Sequence, residues 1–173
     1  MTNNDSALTE SFSGLDHLFE VVPKTDPVSF ETESRQRLTS AEVVYHGDLT
    51  SIIAEIDVLD KMSEEWKTVF EQAYEKIPLH KRIYARDAMV YLYCAFDDYE
   101  TAAKFLPPKP YTLHEIRTAM HVLLRLKRFP EAEGVVRICR ERLPAYEGWE
   151  AERVLWKALE SYYIATGQWG EAN

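Results

Sequence analysis

Between residues 63 and 77 the apolar side chains Trp66, Val69, Phe70, Ala73 and Ile77 recur in steps of three and four, which predicts a helix with one buried stripe. Ser63 stands where an N-cap is needed, and Pro78 closes the segment. The same periodicity predicts helices near 40–46, 49–60, 80–96, 99–106, 112–127, 130–143 and 149–166, broken at Gly47-Asp48, Asp97-Asp98, Pro107-Pro108, Pro130, Pro144 and Gly167. No alternating strand pattern is sustained, so the expected fold is all-α. Short connections make consecutive helices antiparallel neighbours.

Ahead of this region the pattern fades. Residues 1–38 are rich in Ser, Thr, Asn, Asp and Glu and carry Pro23 and Pro27, a composition that buries too little apolar surface to offset the entropy of ordering. A flexible tail is expected there, followed by a single helical domain over 39–173. Within the tail, Leu15, Leu18, Phe19 and Val22 share one helical face beside Asp16 and Glu20, which predicts a short amphipathic helix at 15–22 that either lies on the body of its own chain or docks on a partner. At 173 residues and 46% hydrophobic content, the chain has material for a sizeable core without disulfide or metal staples.

Charge narrows the partners. The net charge is −9, and residues 1–78 hold 16 acidic against 6 basic side chains. Such a chain is repelled by nucleic-acid phosphates and anionic lipid, which disfavours both as partners. The local exception runs from Arg117 to Arg142, where seven basic residues face three acidic ones. The amino end, MTNNDSALTE, has neither the basic start nor the apolar run of a secretory signal, and no stretch reaches the ~18 apolar residues of a membrane helix. Two isolated cysteines, Cys94 and Cys139, fit a reducing compartment, so a cytoplasmic location is expected.

Motifs for chemistry are missing. There is no G-x-x-x-x-G-K, G-x-G-x-x-G, H-E-x-x-H, C-x-x-C or nucleophile elbow. His114 and His121 lie on one helical face but about 10 Å apart at ~1.5 Å per residue, too far to share one metal without a partner from elsewhere. Asp97-Asp98 stands where a helix begins, where carboxylates cap N–H groups. The chain is expected to be no enzyme, to need no cofactor and to bind no metal.

Self-similarity suggests an architecture. FDDYETAAKFL (96–106), LKRFPEAEGVV (126–136) and TGQWGEA (166–172) each place an aromatic three residues before an alanine: Tyr99 and Ala102, Phe129 and Ala132, Trp169 and Ala172. The alanines are 30 and 40 residues apart, and their mean lies close to the ~34 of a helix-hairpin repeat. The aromatic fills a hairpin elbow, and the small alanine lets the second helix approach. With Trp156, Leu159, Tyr163, Gly167, Trp169 and Ala172 in the last unit, Ala132, Val136, Cys139 and Pro144 in the middle one, and Met89, Tyr93, Tyr99 and Ala102 in the first, residues 80–173 resemble the tetratricopeptide repeat family. Glu160 stands where that family has glycine, the spacings are irregular, and Pro107-Pro108 shortens the first unit.

The resemblance implies a short α-solenoid whose first helices line a concave peptide-binding groove. Carried onto this chain, the groove wall is Tyr84, Asp87 and Tyr91, then His114, Arg117, His121 and Arg125, then Lys157 and Ser161. His121 and Ser161 replace the asparagines of the family's carboxylate clamp. Arginine forks and tyrosine tips suit an acidic peptide, so the expected function is a protein-binding module or scaffold. The chain stops a few residues into the second helix of its last unit, which reads as truncation of a longer array or as an edge that a partner or a second copy covers. That edge is expected to expose Trp156, Leu159, Tyr163 and Trp169, and the competing function is a structural subunit that assembles through it, giving a homo-oligomer.

Overall fold

A computed structural model describes residues 27–168, and over them the chain forms eight α-helices and two 3₁₀ segments with no strand. The all-α expectation holds. Contacts divide these residues into two compact units, 27–96 and 97–168, where the pattern predicts one domain over 39–173. The amphipathic helix expected at 15–22 and Trp169 lie outside the described residues.

The first unit comprises α1 (Pro27–Ser40), α2 (His46–Val58), α3 (Glu64–Glu75), a 3₁₀ segment (Leu79–Ala85) and α4 (Arg86–Ala95). α2 touches all the others and buries Leu49, Ile52, Ile53 and Ile56, so it forms the axis of this core. α3 follows its predicted stripe, with Trp66, Val69, Phe70 and Ala73 buried and Ser63 Oγ accepting from Trp66 N at 3.3 Å. The predicted tail is corrected from Pro27 onward. α1 is helical there and buries Ser34 and Leu38. Polar contacts from distant sequence hold it: Lys61 Nζ to Glu31 at 2.5 Å, Arg37 to Asp48 at 2.7 Å, and Lys76 Nζ to the Leu38 and Thr39 carbonyls at 3.0 and 2.8 Å. The helix expected at 40–46 is instead the end of α1 and an irregular link, in which Val44 is buried and its N–H donates to Lys76 O at 3.4 Å.

The second unit comprises α5 (Tyr99–Phe105), α6 (Leu113–Arg125), α7 (Phe129–Arg142), a 3₁₀ segment (Leu143–Tyr146) and α8 (Glu150–Thr166). α6, α7 and α8 each pack against the other two, and α5 packs against α6. Their common core includes Ile116, Met120, Ala132, Val136, Cys139, Leu155 and Leu159. α5 is short because Pro107-Pro108 cannot continue it. α6 opens on a capping box, with Thr112 Oγ1 accepting from Glu115 N at 3.1 Å and Glu115 accepting from Thr112 N at 2.8 Å.

The turns repeat as the aromatic–alanine spacing does. Asp97, Lys127 and Gly167, each two positions before the aromatic of its unit, have φ of 55°, 56° and 75°. At two of them the helix ends in the same pair of bonds: Lys127 N to Leu124 O and Arg128 N to Leu123 O, then Gly167 N to Ile164 O and Gln168 N to Tyr163 O. Only glycine adopts this left-handed conformation without steric cost. Lys127→Gly is therefore expected to raise unfolding free energy by about 0.5–1 kcal/mol, measured by urea denaturation. A lower midpoint in urea would contradict this account of the turn.

Candidate functional site

α6 carries four of the predicted groove residues on one face. Their spacing follows from the helix period, with Arg117, His121 and Arg125 at i, i+4 and i+8. The opposite stripe, Ile116, Ala119, Met120 and Leu123, enters the core and fixes the orientation of this face. The face is partly sunk: His121 is only 6% exposed, while Arg117 and Arg125 are half-buried.

α5 supplies the remainder, which the sequence pattern assigned only to packing. The Tyr99 ring lies 5.7 Å from that of His121, and the Arg125 guanidinium stands 5.5 Å from the Tyr99 centroid. Arg125 Nε is buried and meets no acceptor among the described residues. Burial draws the Arg117 pKa down. His121 is held neutral: burial, then the positive charges of Arg125 and Arg117, push its pKa from 6.5 to about 4, against the opposite pull of Asp97. The site thus presents two guanidiniums with a neutral imidazole between them, a donor-rich surface suited to carboxylate oxygens.

The other predicted residues are distributed differently. Tyr84, Asp87 and Tyr91 belong to the first unit, where the Tyr91 hydroxyl donates to Asp57 and the exposed Tyr84 ring lies 5.1 Å from His46. On α8, Lys157 is exposed and Ser161 Oγ donates back to Lys157 O at 2.9 Å. His114 is half-buried at the start of α6. The expected open edge is corrected in part. Leu159 and Tyr163 are each 2% exposed because α6 and α7 cover them, and Tyr163 accepts a hydrogen bond from Arg140. Trp156 stays 46% exposed, with Nε1 donating to Glu152 at 3.2 Å.

Residues weighed for chemistry have structural partners. Asp98 caps α5 by accepting from Thr101 N at 3.1 Å, and Asp97 accepts from the Tyr99 hydroxyl at 3.0 Å. Both cysteines are buried as free thiols, and burial pushes Cys139 up to about 11, far from thiolate reactivity. Among the described residues no three His, Cys, Asp or Glu side chains gather as metal ligands, and no helix is long and apolar enough to cross a membrane. No family model, curated protein or solved structure matches the chain.

Proposed function

We propose that the chain is a non-enzymatic helical-repeat interaction module, and that the second unit holds an acidic peptide segment against the Arg117, His121 and Arg125 face of α6. The observation that carries this reading is the buried Arg125 Nε without an acceptor, set beside a second half-buried guanidinium. A carboxylate on the peptide supplies the missing acceptor, and each charge-assisted bond gains strength from the low local dielectric. Neutral His121 adds a hydrogen-bonding group without a third positive charge. The recurring turns at Asp97, Lys127 and Gly167 support the tetratricopeptide-like reading, because they repeat with the aromatic–alanine spacing.

The test is fluorescence anisotropy with a labelled Glu- and Leu-rich peptide, beside a Lys-rich control. The parent chain is expected to bind the acidic peptide alone, more weakly as salt rises. Arg125→Glu is expected to weaken binding at least 10-fold while leaving the circular dichroism spectrum unchanged. Equal binding by parent and variant would remove this face as the site. The competing reading, assembly through the last repeat edge, loses Leu159 and Tyr163 to the core and retains Trp156.

A further inference from the structure

A second concavity lies on the other side of the same unit. α5, the linking residues 106–110, α6 and α7 line an open cleft of about 630 Å³, within the volume range of small-molecule sites. Leu106, Leu123 and Val135 form an apolar floor, and Pro107, Pro108 and Pro110 make a wall whose backbone is already stiff. Preformed walls lose little entropy when a ligand enters.

Gly134 lies in this cleft, in the middle of α7. Glycine inside a helix weakens it relative to alanine, and two ordinary reasons accept that weakness: a left-handed backbone or a close neighbour. Neither holds here. Its φ is outside the left-handed range, and a Cβ built on it would meet nothing nearer than Arg137 Nη2 at 4.0 Å. What the missing side chain does is leave space in the cleft beneath that guanidinium.

The rim sets the charge of the occupant. Arg128 is engaged, with Glu100 at 2.5 Å and Glu131 at 3.9 Å. Lys109 and Arg137 have no carboxylate within 4.0 Å among the described residues, against the single similarly unpaired acid Glu141. We infer that this cleft binds a small apolar anion, an acyl or aryl carboxylate, with its hydrocarbon on the floor over Gly134 and its anionic group at Arg137 and Lys109. This site is separate from the α6 face and does not rest on the function proposed for it.

The full chain titrated with the fluorescent apolar anion 8-anilinonaphthalene-1-sulfonate tests this. One saturable site is expected, from which decanoate displaces the probe at least 10-fold better than decanol does. Gly134→Leu fills the floor and is expected to weaken probe binding at least 10-fold, with an unchanged or higher melting temperature because leucine favours the helix. Gly134→Ala keeps most of the space and is expected to bind within about 3-fold of the parent, which separates cleft filling from any general effect of changing the glycine. Arg137→Glu is expected to weaken binding several-fold. Parent-like probe binding by folded Gly134→Leu would overturn the site, and equal displacement by decanol would overturn its anionic specificity.

Discussion

Leu159→Ala is expected to lower the unfolding free energy by about 3 kcal/mol, within the ~2–5 kcal/mol span of buried leucine truncations. The side chain is 2% exposed and lies in the core that α8 shares with α6 and α7. Removing it takes apolar surface out of contact on both neighbours and leaves a cavity that backbone on three sides cannot easily collapse. Trp156, one turn earlier on the same helix, is 46% exposed, and Trp156→Ala is expected to cost less than about 1 kcal/mol. Urea denaturation followed by circular dichroism measures both. The pair distinguishes a core helix from an unfinished edge: similar small losses at the two positions would return Leu159 to an exposed surface, and with it the assembly reading.

This contrast also marks where the sequence was readable. Ser63, Trp66 and Phe70 declared α3 because capping and periodicity act within a few residues, and Asp97-Asp98 and Gly167 marked their turns for the same reason, whereas the break expected at Pro130 falls at Lys127 and Pro130 sits in the first turn of α7. α1 was hidden because its anchors lie far along the chain: Glu31 meets Lys61, and the Leu38 carbonyl meets Lys76. The repeat resemblance set Arg117, His121 and Arg125 on the groove wall, and their i, i+4, i+8 spacing puts them on one face of α6. It could not supply Tyr99 as their neighbour, because that depends on how α5 packs against α6. The bond from the Tyr91 hydroxyl to Asp57 was hidden on similar grounds, since it joins residues 34 apart in the chain. Leu159 and Tyr163 were misplaced by a repeat rule that assigned their cover to a helix further on, whereas α6 and α7 already supply it.

The same packing makes His121 a determinant of acid stability. Its pKa is about 4 in the folded chain against 6.5 for the free side chain, so between those values the unfolded chain takes up a proton that the folded chain refuses. Stability is therefore full above pH 6.5 and falls as pH drops, by about 1.4 kcal/mol per unit and about 3 kcal/mol in all, levelling below pH 4 once the folded imidazole also protonates. Among the groups facing it are Arg117 and Arg125 on its own helix, Asp97 just before α5 and the Tyr99 ring at its start. Asp97 opposes the shift, so Asp97→Asn is expected to lower the His121 pKa further. His121→Phe keeps a ring against Tyr99 and cannot take a proton. From pH 7.5 to 4 the urea midpoint of the parent is expected to fall further than that of His121→Phe, as only the parent carries this loss while carboxylates titrate alike in both. Parallel curves would mean that His121 protonates freely in the folded chain, and would place it in water instead of between the two guanidiniums.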